Sequence, residues 1–219
     1  MILTFLTLSI AIIVGVNMVH KEPSPPYLSN NPNLVAWEAR GKYHTFTEHP
    51  PMLKIFYQDH LSPLPNSSET LVIIHGFPSS SIDFEKSLPI LATRFKRIVL
   101  FDHPGFGLSD KPPGHQFAYS MVEYTDSMLS LLKALDVKEA HFLAHDMGDS
   151  VLTELAARQA KDLLPHWFKG ARSLTFTNGK SFFCGENVLT SFFVYPANHQ
   201  HHFFLLSSLF FSLDYVWYS

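Results

Sequence analysis

Short, continuous apolar runs recur along this chain between stretches of helical periodicity, and that alternation limits its fold more than any other feature. "TLVIIHG" (70–76), "RIVLFD" (97–102), "AHFLAH" (140–145) and "RSLTFTN" (172–178) are each six or seven residues long and end in polar or turn-forming residues. Runs of this kind read as strands buried on both faces, because a strand with one wet face alternates polar and apolar side chains. Between them lie helical segments. Ser120 and Glu123 form a capping box that opens a helix to about Leu135, with Met121, Val122, Met128, Leu129 and Leu132 as its apolar stripe. "DSVLTELAARQA" (149–160) places Leu152, Leu155 and Ala156 on one side of a second helix. Upstream, "KYHTF" (42–46) and "MLKIFYQ" (52–58) read as two strands joined by a turn at Pro50-Pro51. Buried strands alternating with helices predict an α/β fold with a mostly parallel sheet and flanking helices.

Composition narrows the chemistry. The 219 residues suit one domain, and 46% hydrophobic against 16% charged residues can form a core. A net charge of −3 and the lack of any Lys/Arg run argue against a nucleic-acid partner. Cys184 is the only cysteine, and the thirteen histidines show neither H-E-x-x-H nor a Cys-paired spacing, so no metal site is expected. The first nineteen residues carry no charged side chain and, at about 1.5 Å per residue, can cross a bilayer core. With no basic n-region and no small-x-small cleavage site, they read as an uncleaved membrane anchor rather than a signal peptide. Residues 21–33 read as a linker, and Asn66 opens a glycosylation sequon that matters only if the domain is lumenal.

In parallel sheets, ligand sites form at the carboxyl ends of strands. The residues in question are therefore His75-Gly76-Phe77-Pro78, Asp102-His103-Pro104-Gly105, and Asp146. "GFGLSD" (105–110) is not a dinucleotide loop, because it lacks the third glycine and leads into Lys111-Pro112-Pro113 instead of a helix. "LAHDMGDS" (143–150) sets Asp146 between Ala144 and Gly148. A side chain at a sharp strand-to-helix turn projects above the sheet. Its neighbours two positions away must be small, and the following helix offers its amide end to an anion. A capping carboxylate is the plainer reading of Asp146.

Taken together, "IIHGFPSSSIDFEK" (73–86), "FDHPGFGLSDKP" (101–112) and "LAHDMGDSV" (143–151) resemble the α/β-hydrolase family, in its epoxide hydrolase and haloalkane dehalogenase branch, over roughly residues 34–179. The resemblance implies a covalent nucleophile at Asp146 and an oxyanion hole from the backbone N–H groups of Phe77 and Met147. It gives His75, Gly76, Asp102 and Gly148 supporting roles, requires no cofactor, and implies a small apolar substrate. Residues 1–19 then place the protein in the endoplasmic reticulum membrane, with orientation open. Two departures stand out. Met147 occupies the position where this branch carries Trp, and Phe77 stands where dehalogenases use Asn for halide.

The resemblance also implies a histidine and a second acid downstream, and neither is recognisable. Only 73 residues follow Asp146, and the alternative acid position after the strand is Asn178, which cannot ionise. Residues 180–219 read as an unrelated Phe-rich tail, and the whole as a C-terminally truncated form. His199, His201 and His202 are the remaining candidate bases. Two expectations follow: a membrane-anchored hydrolase that is inactive in this form, or a non-catalytic membrane-associated interaction protein.

Overall fold

The computed structural model describes residues 31–48, 52–63, 68–178 and 193–196. The chain divides into two units, residues 1–39 and 40–219. In the first, helix α1 (Pro32–Ala39) is opened by Asn31, whose side-chain oxygen accepts from the Asn33 amide at 3.0 Å. The proposed anchor, most of the linker, Pro50-Pro51, Asn66, Cys184 and His199, His201 and His202 lie outside the described residues. Among the described residues no helix is long and apolar enough to cross a membrane.

The second unit is built on one seven-stranded sheet. Its strands are β1 (Lys42–Phe46), β2 (Leu53–Leu61), β3 (Thr70–Ile74), β4 (Arg97–Phe101), β5 (Glu139–His145), β6 (Gly170–Thr177) and β7 (Phe193–Pro196), in the order β1-β2-β4-β3-β5-β6-β7. The central pairings β4/β3, β3/β5 and β5/β6 are parallel. The outer ones, β1/β2, β2/β4 and β6/β7, are antiparallel. The four runs are thus the parallel centre; β3 and β4 are buried on both faces, whereas β5 alternates buried with half-buried residues and β6 exposes Arg172. β7 belongs to a segment that sequence reasoning assigned no element.

The two faces of the sheet separate by residue parity. Val72 and Ile74 of β3 and Val99 and Phe101 of β4 face the main core with helices α3 (Met121–Ala134) and α4 (Met147–Ala160). Leu71, Ile73, Ile98 and Leu100 face the other way, against Phe84, Leu88 and Leu91. These last belong to a 3₁₀ turn (Ser81–Ser87) and the short helix α2 (Leu88–Leu91), both missed in the sequence because neither shows a helical period. Helix α4 begins two residues before the expected Asp149, directly after Asp146.

Helix α3 starts where its capping box puts it. The Ser120 hydroxyl accepts from the Glu123 amide at 3.2 Å, and the Glu123 carboxylate returns to the Ser120 amide at 3.3 Å. Two otherwise unsatisfied N–H groups of the first turn are covered in this way. Leu131 and Leu132 of the same helix are fully buried. Replacing Ser120→Ala is expected to cost about 1 kcal/mol, read as a lower urea midpoint with an unchanged slope.

Candidate active site at the turn after strand β5

Asp146 sits between β5 and α4 with φ 53° and ψ −116°, a left-handed conformation that a non-glycine residue seldom adopts. Such a turn holds only if the surrounding backbone holds it. The Asp146 amide donates to the Thr177 carbonyl at 3.0 Å. Thr177 in turn donates its hydroxyl to the Ala144 carbonyl at 2.7 Å and its amide to Oδ1 of Asp149 at 3.3 Å. The end of β6 therefore clamps the turn from one side.

Two glycines allow the close approach on the other side. A Cβ on Gly148 would lie 2.6 Å from the Ile74 carbonyl oxygen and 2.7 Å from that of His75. A Cβ on Gly76 would lie 2.6 Å from both the Asp146 Cβ and the His145 carbonyl oxygen. The contacting atoms are mostly backbone, so no side-chain rearrangement relieves them. The result is a meeting of two amides on one oxygen. Oδ1 of Asp146 accepts from the Phe77 N–H at 3.0 Å and from the Met147 N–H at 2.6 Å. Among the described residues Oδ2 has no hydrogen-bond donor. The amide pair that the family resemblance implies as a receptor for an oxyanion is thus filled, at rest, by the aspartate's own carboxylate. Asp146 also lies at the amino end of the 14-residue helix α4, where the helix dipole favours an anion.

His75 and Asp102 stand behind this turn. Asp102 is buried, with Oδ1 accepting from the Ser81 amide and Oδ2 from the Leu108 amide, both at 2.8 Å. One carboxylate thereby ties the 3₁₀ turn to the 104–110 loop. The Ser109 hydroxyl donates to the Asp102 carbonyl at 2.6 Å, and the Phe56 amide donates to that hydroxyl at 2.9 Å. Gly107 packs so closely that a Cβ there would lie 2.0 Å from Oδ2 of Asp102. His75 is buried and bonded through both ring nitrogens, to the Gly76 carbonyl at 2.9 Å and the His103 amide at 3.0 Å.

An aromatic wall borders the turn. Exposed Phe77 meets Phe106 edge to face at 6.1 Å, and Phe106 packs on His75 at 5.5 Å. His103 lies deeper, with its ring centroid 4.7 Å from that of His75 and 4.8 Å from that of Tyr124. Burial pushes the Tyr124 phenol up to about 12, so it stays neutral. His103 is fully buried, and neither ring nitrogen has a hydrogen-bond partner among the described residues. Sequence inspection flagged His103 by position only; nothing in the pattern signalled its burial. No histidine ring among the described residues is hydrogen-bonded to Asp146. Asn178 follows β6 with φ 58°. Among the described residues no group of three or more His, Cys, Asp or Glu side chains could hold a metal ion.

Burial holds His103 well below the ordinary histidine value of 6.5, with the neighbouring His75 adding to the effect. His75 is lowered as well, again mainly by burial. The unfolded chain therefore binds more protons than the fold just below pH 6.5, and stability present above that pH is lost as pH falls through it. Lowering the pH from about 7.5 to about 5.5 should lower the urea midpoint. His103→Leu, of comparable volume and with no nitrogens to desolvate, should give a shallower pH dependence and a higher midpoint at neutral pH.

Comparisons with known proteins agree with this architecture. The family model for the alpha/beta hydrolase fold matches residues 69–196. The mesoderm-specific transcript protein of Mus musculus is 42% identical over 136 residues, which are 61% of this chain and 38% of that protein. The homologous protein of Homo sapiens is 40% identical over the same length and shares. The chain thus spans less than two fifths of the length of these relatives. Among solved structures, an alpha/beta hydrolase fold protein from Burkholderia ambifaria matches with a TM-score of 0.50 at 24% identity, covering 65% of this chain and 45% of that one. An epoxide hydrolase from Vigna radiata matches with a TM-score of 0.50 at 17% identity, covering 63% and 38%. With its parallel-centred sheet, its strand-to-helix turn at Asp146 and a family match over more than half its length, this chain belongs to the alpha/beta hydrolase fold family.

Proposed function

We propose that Asp146 is the covalent nucleophile of a hydrolase acting on a small apolar electrophile, an epoxide in the first instance. The observation that carries this reading is the asymmetry of its carboxylate. Oδ1 is held by two amides, while Oδ2 has no donor among the described residues. A carboxylate oriented in this way presents one oxygen for attack and keeps the other in a receptor for negative charge. Oδ2 forms a bond to an epoxide carbon, the carbon–oxygen bond breaks, and the leaving oxygen keeps the electron pair and takes a proton from water. The product is an ester on Asp146. In its hydrolysis, water gives up a proton and adds to the ester carbon, and the negative charge develops on the oxygen that already faces Phe77 and Met147. On collapse the bond from that carbon to Oδ2 breaks, releasing a diol that takes the proton and restoring the carboxylate with an oxygen from water. The neighbouring aromatic side chains, Phe77 and Phe106, favour an apolar substituent on the substrate. The epoxide hydrolase among the structural matches supports the fold alone.

The first step needs only an ionised carboxylate and a correctly placed carbon. The second needs water to lose a proton, and a positioned base contributes roughly 10²–10⁴-fold to such a step. With no imidazole bonded to Asp146 among the described residues, the reading commits this chain to the alkylating half of the reaction. Incubation with styrene oxide, followed by mass spectrometry of peptides, should show at most one adduct per chain, on Asp146, and none in Asp146→Ala. Repeated turnover abolished by Asp146→Ala would reveal a base outside the described residues. No adduct at all would favour the non-catalytic, membrane-associated reading.

Residence in a membrane, proposed as that of the endoplasmic reticulum, rests for its membrane part on the nineteen uncharged residues at positions 1–19. Carbonate extraction of isolated membranes should leave the protein in the pellet with that segment intact. Release of a chain lacking it would replace the anchor with a signal peptide.

A further inference from the structure

The Gly76–Phe77 peptide is engaged at both ends. Its N–H donates to Oδ1 of Asp146 at 3.0 Å. Its carbonyl is bonded to Nδ1 of His75 at 2.9 Å and accepts from the Ser79 amide at 3.2 Å. The other ring nitrogen of His75, Nε2, faces the backbone N–H of His103 at 3.0 Å. A backbone N–H can only donate, so Nε2 must accept and carries no proton. A neutral imidazole then bears its proton on Nδ1, where the partner is a carbonyl oxygen that can only accept. The tautomer follows from the two partners. The ring is 1% exposed, so no water competes for either bond.

The consequence lies one peptide further on. A hydrogen bond to the carbonyl of a peptide polarises the whole unit and strengthens its N–H as a donor. It also resists rotation of the peptide plane about the flanking glycine, which has no Cβ to restrict it. We propose that His75 is a positioning residue: its Nδ1–H, fixed by the His103 amide, aims and strengthens the Phe77 N–H that orients the Asp146 carboxylate. The chain of bonds runs His103 N–H to His75, His75 to the Gly76 carbonyl, and Phe77 N–H to Asp146. Its effect on rate rests on the nucleophile reading above; the bonds themselves do not.

Two substitutions separate the two ends of the ring. Asn places an amide nitrogen where Nδ1 stands and keeps the donor to Gly76. Gln reaches the Nε2 position and keeps an acceptor for His103 without the donor. In the full-length, detergent-solubilised chain, nitrogen-15 NMR of labelled histidine should show His75 protonated on Nδ1. The Phe77 amide proton should resonate downfield and move upfield in Asp146→Asn, His75→Leu and His75→Gln, with recovery in His75→Asn. The rate of adduct formation at saturating styrene oxide should fall on the order of tenfold in His75→Leu and His75→Gln, less than for outright loss of a donor, and recover to within a few-fold in His75→Asn. A wild-type His75 protonated on Nε2 would overturn the proposal. So would a folded His75→Leu with the Phe77 resonance unmoved, or recovery by Gln and not by Asn. If the wild type forms no adduct, the nucleophile reading fails, and the tautomer and the Phe77 resonance still decide this one. If the variants do not fold, the wild-type tautomer alone decides it.

Discussion

The closeness of two backbones governs this site. The chain leaving β3 and the chain turning from β5 into α4 approach until carbonyl oxygens of Ile74, His75 and His145 occupy space that side chains at positions 76 and 148 would need. Only at that separation can amides from two different loops, at Phe77 and Met147, reach a single oxygen. The left-handed conformation of Asp146 is the local cost, on the order of 1–3 kcal/mol for a residue of this kind. It is offset by the amide pair in front, by the Thr177 carbonyl behind, and by the dipole of α4. Removing any of these leaves the strain less fully offset.

Around this contact the protein arranges polar atoms that water does not reach. Asp102 uses both carboxylate oxygens and its backbone carbonyl to hold the 3₁₀ turn and the 104–110 loop against the sheet end. His75 uses both ring nitrogens. These groups are buried as stably as they are because their bonds are satisfied; His103, whose ring nitrogens have no partner among the described residues, shows the contrast. It contributes ring contacts to the aromatic wall and carries a desolvation cost that an apolar side chain would not.

What could be read from the sequence follows from which forces are local. The central strands β3 and β4 were legible because burial on both faces leaves an unbroken apolar run, while β5 and β6, with half-buried polar positions, carry a weaker pattern; α3 was legible because Ser120 and Glu123 satisfy each other within one turn. The 3₁₀ turn and α2 were not. Their contacts, Phe84, Leu88 and Leu91 against the far face of the sheet and Ser81 against Asp102, are all tertiary. The helix read from the sequence at Asp149 begins in the structure at Met147, and Gly148, in its first turn, makes room for the carbonyls of Ile74 and His75. At the site, the family resemblance, and not the residue order alone, implied that Phe77 and Met147 stand beside Asp146. It gave no sign that the amides would close on the aspartate itself, because that depends on a peptide plane and not on a residue type.

That closure decides what the site can receive. A receptor of two convergent amides at a helix end would ordinarily collect any small anion or carbonyl oxygen from solution. Here it is self-occupied: the protein supplies its own tenant on a tether one residue long. A hydroxyl side chain on the same turn would leave the receptor vacant for a visiting acyl oxygen, whereas the carboxylate fills it with Oδ1 and keeps Oδ2 without a donor among the described residues. On the proposed reading, the division between chemistry at carbonyl carbon and chemistry at saturated carbon is here a question of occupancy, settled before any substrate arrives.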